Sequence, residues 1–395
     1  MMWFVVIATS SFLFDLTLVL LNIRHLRRHA DSGETDTVSY ITRKSYTKMA
    51  YLLVRQLLFI ALVLFLMDDL ISIVTAMMSG NIWIVTLVLA LAYSMIQLLA
   101  TSYEAIDTFG TEARFNFNKH TPRSFARDQF VDYLVTLILV MLVSLALYAL
   151  YQSLGATFIL YGLILVELLL ILYHTLFVIV FVPLMFELTP LNNAELETAI
   201  SDLATNEGIN LDSIVVLNAS QKSTKMNAYF SGFGKSKKIM LFDTLLDRFT
   251  TEQLVSIVAH EIGHAKYHHM IKDLITDMIV AAIYFIIFFV LLRADVVTAT
   301  GQPFVFGLLY TLIVIEFIHK LLGGVRNYLS RRHEKQADLF VKEIGLGDAM
   351  TKVMQEAATF NKGNPHPHPL FVLFKYNHPS STERLRYLQT TSAPR

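Results

Sequence analysis

Seven runs of mostly apolar residues, each about 20 or more long and so able to cross a hydrocarbon layer about 30 Å thick, constrain this chain more than any other feature. They fall near residues 3–23, 52–78, 82–103, 131–151, 157–183, 274–292 and 303–322. In lipid every backbone N–H and C=O must find its partner within the chain, so runs of this kind are read as helices. Charge agrees: only 16% of residues are charged, against about 25% in soluble globular chains. The first run, WFVVIATSSFLFDLTLVLLNI, is followed by basic residues instead of preceded by them and lacks a small-residue cleavage site. It reads as a retained anchor and not as a signal peptide.

Lys and Arg set the expected orientation. The first connection holds Arg24, Arg27, Arg28, Arg43, Lys44 and Lys48, and the third holds Arg114, Lys119, Arg123 and Arg127. The short connections near 79–81, 152–156 and 294–302 hold none. That alternation predicts an outside N-terminus, with residues 184–273 and 323–395 together in the cytoplasm. Four parts are expected: five membrane helices and their loops in 1–183, a polar domain in 184–273, two more membrane helices in 274–322, and a polar tail in 323–395. With 32 basic against 32 acidic residues, no overall field exists to hold nucleic acid. With no cysteine, disulfides, thiolate zinc sites and thiol catalysis are excluded. A metal here is held by His and carboxylate.

Within the polar domain, NNAELETAISDLATNEG has helical periodicity, SIVVLNAS reads as a strand, and KMNAYFSGF and KIMLFD flank Gly234–Lys238 as a hairpin. Thr250-Thr251-Glu252-Gln253 is a capping-box start for a helix through TEQLVSIVAHEIGHAKYHH. That helix carries His260-Glu261-Ile262-Gly263-His264, the HExxH pattern. Side chains at i and i+4 share a helix face, so both imidazoles can bind one zinc while Glu261 projects beside them. Zinc lowers the pKa of a water to about 7 and polarises a carbonyl, and a Glu in this place takes the proton and passes it to the leaving amine.

A catalytic zinc wants a third protein ligand. Tyr267 and Met270 exclude a metzincin continuation, and the chain enters the membrane near 274. The next two membrane runs return it to the same face, where a helix is expected to begin at Arg331-Arg332-His333-Glu334. Glu334 is therefore on the correct side to be the third ligand. Asp338, four residues on, can accept the other N–H of a zinc-bound His and fix its tautomer. His268 and His269 read as solvated polar tips beyond the triad, and His333 faces elsewhere. Asp15, Arg55, Asp68, Asp69, Glu167, His174, Glu316 and His319 lie within or at the ends of the apolar runs. They argue for a polar interior among the helices, with pairing favoured over catalysis. An edge strand at Asn227-Ala228-Tyr229-Phe230 can bind an extended peptide by backbone pairing. His378, before Pro379, and Arg384 can donate to a tetrahedral oxyanion. The Pro365-His366-Pro367-His368-Pro369 run reads as a stiff extended loop.

In order along the chain, the sequence resembles the type I CAAX prenyl protease family, the integral-membrane zinc metallopeptidases. The resemblance rests on Thr108-Phe109-Gly110-Thr111-Glu112-Ala113-Arg114-Phe115-Asn116-Phe117-Asn118, Pro183-Leu184-Met185-Phe186-Glu187-Leu188-Thr189-Pro190-Leu191, Asn227-Ala228-Tyr229-Phe230 and Leu241-Phe242-Asp243-Thr244-Leu245-Leu246. It continues through the HExxH helix, Ser330-Arg331-Arg332-His333-Glu334, Gln336-Ala337-Asp338, His378-Pro379 and Glu383-Arg384-Leu385. The resemblance implies a mainly α fold: a seven-helix barrel around a water-filled chamber, with a cytoplasmic gluzincin-type metallopeptidase domain that contains a small β-hairpin or sheet. It implies one Zn2+ on His260, His264 and Glu334, Glu261 as general base, Asn227 and His378 on the substrate backbone, and His378 also stabilising the transition state. Family members remove the last three residues of prenylated Cys-a-a-X tails, and some act as general membrane proteases. The tail Tyr376-Asn377-His378-Pro379-Ser380-Ser381 departs from the Ser-His-Pro-Pro run of eukaryotic relatives, which favours a bacterial-type member in an inner membrane over one in the endoplasmic reticulum.

The leading expectation is a zinc endopeptidase acting on peptide or protein substrates at the membrane face: prenylated tails or, in the alternative, misfolded membrane proteins without a prenyl group. A transporter or scaffold is the alternative from another class.

Overall fold

The computed structural model describes residues 2–77, 82–176, 180–231 and 238–389. The loop at 79–81, part of the fifth apolar run, most of the expected turn at Gly234–Lys238 and the end Thr390–Arg395 lie outside the described residues. The described elements begin with α1 (Met2–His29), α2 (Thr35–Ala61), α3 (Met67–Met77), α4 (Ile82–Ile106), α5 (Pro122–Leu154), α6 (Phe158–Leu176) and α7 (Val182–Met185). The polar domain follows with β1 (Leu188–Pro190), α8 (Ala194–Asn206), β2 (Ser213–Leu217), β3 (Ala228–Ser231), β4 (Lys238–Phe242), α9 (Asp243–Leu246) and α10 (Thr251–Lys266). The chain ends with α11 (His269–Leu291), α12 (Asp295–Thr298), α13 (Pro303–Glu343), α14 (Gly347–Phe360), α15 (Pro369–Lys375) and α16 (Ser381–Gln389).

Among the described residues, six helical runs are long and apolar enough to cross a membrane: Met2–His29, Ser32–Met77, Trp83–Glu112, Pro122–Leu176, His269–Leu291 and Pro303–Glu343. The fourth and fifth expected runs share one of these, Pro122–Leu176. It is interrupted at Gly155, whose φ is 55°. A Cβ at Gly162 would lie 3.0 Å from Leu147, whereas a straight helix separates residues fifteen apart by about 22 Å. The chain therefore doubles back between α5 and α6. Large apolar side chains such as Trp3, Phe65 and Leu98 are exposed to 78%, 76% and 70%. A surface this apolar, on helices this long, is that of a multi-pass integral membrane protein.

Several of the charged groups between these helices are paired, whereas Glu167 keeps one buried carboxylate oxygen without a hydrogen-bond partner among the described residues. Asp15 meets Lys320 at 2.7 Å and Lys375 at 2.5 Å. Glu316 meets Arg55 at 2.6 Å and Lys320 at 2.9 Å. Asp277 pairs with Arg326, and His174 stands 3.4 Å from the same carboxylate.

The polar domain holds more sheet than a hairpin. Four strands run in the order β1-β2-β4-β3; β2 and β4 are parallel, and β1–β2 and β3–β4 are antiparallel. β1 went unforeseen because three residues ending in proline show no alternation. β3 is an edge strand. Leu196, Ile200, Ile239, Leu241, Ile257, Val258, Ile262, Phe340 and Met350 form one buried core beneath the sheet and α10. The membrane helices are tied to this domain by Glu112, which accepts a hydrogen bond from Tyr40 (2.8 Å) and pairs with Lys225 at 2.8 Å. Beside it, the Lys119 N–H donates to the Lys222 carbonyl at 3.0 Å.

No helix begins at Arg331. Instead α13 is one helix of 41 residues, about 60 Å long, that carries a membrane run and Glu334 on a single rod. Gly324 does not break it; its missing side chain makes room for Phe374, whose ring would stand 2.9 Å from a Cβ there. The rod crosses α10 at Gly263, where an added Cβ would meet the Ala337 Cα at 3.1 Å and Phe340 at 3.2 Å. Gly263→Ala is therefore expected to push the two helices apart and destabilise the fold by about 1–3 kcal/mol. Unfolding of the detergent-solubilised protein checks this.

Candidate metal centre

The Thr250 cap forms as its sequence requires: its Oγ1 accepts the Gln253 N–H, and Gln253 Oε1 accepts the Thr250 N–H at 3.0 Å. From that start the helix delivers His260 and His264 one turn apart, facing Glu334 of α13. His260 Nε2 and His264 Nε2 stand 3.2 Å apart. Glu334 Oε2 lies 3.2 Å from the first and Oε1 3.3 Å from the second. Four ligands held tetrahedrally at the usual zinc–nitrogen distance of about 2.0–2.1 Å are about 3.3 Å from one another. Among the described residues, His260, His264 and Glu334 are the group able to hold a metal ion. The donor set fits zinc.

Behind the three sits Asp338, with no exposed surface. It accepts from Arg384 Nε at 2.8 Å, Arg384 Nη2 at 2.6 Å and the Tyr387 hydroxyl at 2.7 Å. His260 Nδ1 lies 2.8 Å from its other face. Burial disfavours a charged His260, yet Asp338 and Glu334 outweigh burial and push its imidazolium up to about 10. Two carboxylates against one guanidinium leave the cavity short of one positive charge, a deficit that a proton or a divalent metal meets. Burial also opposes the charge on Arg384, but Asp338 overrides it and raises that pKa further. The Tyr387 phenol is pushed up by burial and then by Asp338, so it stays a donor.

The remaining sequence candidates divide. His378 is half exposed and stands with Nδ1 2.9 Å from Glu334 Oε2. Its loop is anchored by Arg331, which donates to the carbonyls of Val372 at 2.9 Å and Tyr376 at 2.5 Å, closing the C-terminal end of α15. Glu261 is half buried on the same helix as the two histidines. Asn227 is exposed at the start of β3, its Oδ1 accepting the Ala228 N–H at 3.0 Å. Ala228 and Tyr229 pair by backbone with Leu241 and Met240; the Tyr229 side chain is not described. Arg384, read from sequence as an oxyanion donor, spends its guanidinium on Asp338, and its nearest approach to Glu334 is 3.9 Å.

Two residues were misjudged or missed in the sequence. His269 is not a solvated tip: it is 1% exposed, because His268 adopts φ 55° and turns the chain back between α10 and α11. Tyr387 shows itself in the sequence only through its i, i+3 spacing with Arg384 on one helix.

Residues 190–392 match Peptidase family M48, and residues 31–187 match the CAAX prenyl protease N-terminal region, described as five membrane helices. The chain is 28% identical over 298 residues to the CAAX prenyl protease 1 homolog of Oryza sativa, covering 74% of this chain and 70% of that one. It is 28% identical over 347 residues to the CAAX prenyl protease 1 homolog of Homo sapiens, covering 74% and 72%. The crystal structure of S. mikatae Ste24p superposes with a TM-score of 0.88 at 22% identity, covering 98% of both chains, a likeness of fold.

Arg384→Met should leave Asp338 buried with only the His260 imidazole and the Tyr387 hydroxyl, without its guanidinium, and cost about 3–5 kcal/mol of stability. Denaturant unfolding measures it, and a loss within the range of an exposed pair, below about 1 kcal/mol, would contradict the assignment.

Proposed function

For this chain, which belongs to Peptidase family M48 and is a membrane metalloprotease of the CAAX prenyl protease family, we propose a single zinc held by His260, His264 and Glu334. The observation that carries the reading is the close approach of the three residues' ligand atoms: the two Nε2 atoms are 3.2 Å apart, and the two Glu334 oxygens lie 3.2 Å from His260 Nε2 and 3.3 Å from His264 Nε2. Zinc so held supplies a water acidic at neutral pH and a Lewis acid for the scissile carbonyl. Glu261 takes the proton of the attacking water as its oxygen adds to the carbonyl carbon, then gives it to the nitrogen as the C–N bond breaks. His378 donates to the carbonyl oxygen as negative charge develops there. Its place beside Glu334, on a loop fixed by Arg331, supports that role.

The substrate lies extended along β3, pairing with the backbone groups of the Ala228–Tyr229 segment that face away from β4, with Asn227 at the entrance to the strand. The free edge of β3 in the described sheet and its packing beside α10 support this. Arg384 acts on substrate only indirectly, by keeping Asp338 charged behind His260. The chain crosses the membrane seven times, α5 and α6 counting as two crossings, with the N-terminus outside and the zinc site in the cytoplasm. The distribution of Lys and Arg supports that orientation; the departure at Ser380-Ser381 supports a bacterial inner membrane. The substrate is a protein with a prenylated C-terminal Cys-a-a-X tail, a reading supported by the likeness to CAAX prenyl protease 1 homologs.

Glu261→Ala should retain zinc and lose hydrolysis of a farnesylated test peptide by at least about 10²–10⁴-fold. Glu334→Gln should instead lower the zinc content measured by mass spectrometry. Matched peptides with and without the prenyl chain test the substrate class: faster cleavage of the prenylated one is expected, and equal rates favour a protease of misfolded membrane proteins.

A further inference from the structure

His264 is not oriented by a carboxylate. Its Nδ1 lies 3.0 Å from His269 Nδ1, and His269 Nε2 lies 3.1 Å from Gln336 Oε1. Two ring nitrogens this close share one proton, since two lone pairs facing each other repel. If His264 turns the lone pair of Nε2 toward Glu334 and a metal, the proton must sit on Nδ1 and His269 must accept it. The neutral His269 ring then carries its own proton on Nε2 and donates to the Gln336 amide oxygen. Every donor and acceptor along the His264–His269–Gln336 relay then has one consistent direction.

The ring that accepts is held on several sides. His269 is 1% exposed. His333 stacks on it at 4.3 Å with an interplanar angle of 12°, and His333 Nδ1 is itself 3.1 Å from Asp273. The left-handed His268 turns the chain so that a residue five beyond His264 reaches its far ring nitrogen. Gln336 comes from α13, two residues after Glu334, so the rod that brings the carboxylate also brings the end of this relay.

We propose that His269, backed by Gln336, is the positioning residue that fixes the tautomer and ring orientation of His264, as Asp338 does for His260. The inference rests on the zinc site proposed above. Partners of this kind, when removed from metal-bound histidines, typically cost 10–100-fold in metal affinity.

The test is zinc affinity by chelator competition on the full-length detergent-solubilised protein, with the visible spectrum of the cobalt-substituted form as a second readout. His269→Leu keeps the bulk and removes the acceptor; its zinc dissociation constant should rise by about 10–100-fold, with an altered cobalt spectrum. His269→Asn places an amide oxygen near the lost Nδ1 and should restore most of the affinity. Gln336→Leu should fall between the two, and it decides the matter if His269→Leu does not fold. Wild-type affinity and spectrum in His269→Leu, or equal losses in His269→Asn and His269→Leu, would overturn the proposal. If the wild-type protein itself binds no zinc, the site reading fails first; if it binds zinc and only the His269 variants behave as wild type, this inference alone fails.

Discussion

One buried carboxylate holds the site together. Asp338 has no exposed surface and takes donors from two other segments: the imidazole of His260 on α10, and the guanidinium and phenol of Arg384 and Tyr387 on α16. A buried charge is tolerated only when its hydrogen-bonding capacity is met. Asp338 therefore fixes where those segments can lie relative to α13, and Glu334, one turn earlier on that helix, is placed in consequence.

The same helix brings the membrane to the chemistry. Because α13 continues unbroken from Pro303 to Glu343, any tilt imposed on its apolar half is transmitted to Glu334. Its membrane half is pinned by Glu316 and Lys320, which reach Arg55 on α2 and Asp15 on α1. Asp15 also holds Lys375 at the end of α15, three residues before His378. Charges inside the apolar region thus set the position of a residue beside the candidate metal ligands. They are structural partners of the site through these ion pairs.

Local patterns were legible in the sequence, and contacts between distant segments were not. The capping box, the His260 and His264 pair and the apolar runs each depend on spacing within one helix, which periodicity reports directly. Glu334 was reachable by following the chain through two membrane runs. By contrast, the partner of Arg384 is 46 residues away, and nothing in Glu383-Arg384-Leu385 distinguishes an arginine that binds substrate from one that neutralises a buried acid. His269 was misread because five residues past His264 falls on another face of a continuous helix; only the positive φ of His268 brings it back. The helix start expected at Arg331 followed from a change in polarity, but polarity changes along a rod that leaves lipid without any break in its hydrogen bonds.

The two histidines are supported unequally, and the charge of the cavity explains why. Asp338 behind His260 is balanced by Arg384; a second carboxylate behind His264 would add another buried charge, with a desolvation cost of several kcal/mol per ion. A neutral imidazole ending on an amide oxygen gives His264 an acceptor without that charge. It also leaves His264 less electron-rich than His260, so a metal between them would keep more of its own positive charge. For a cation whose work is to polarise a carbonyl and acidify a water, one charged and one neutral support preserves more Lewis acidity than two carboxylates would.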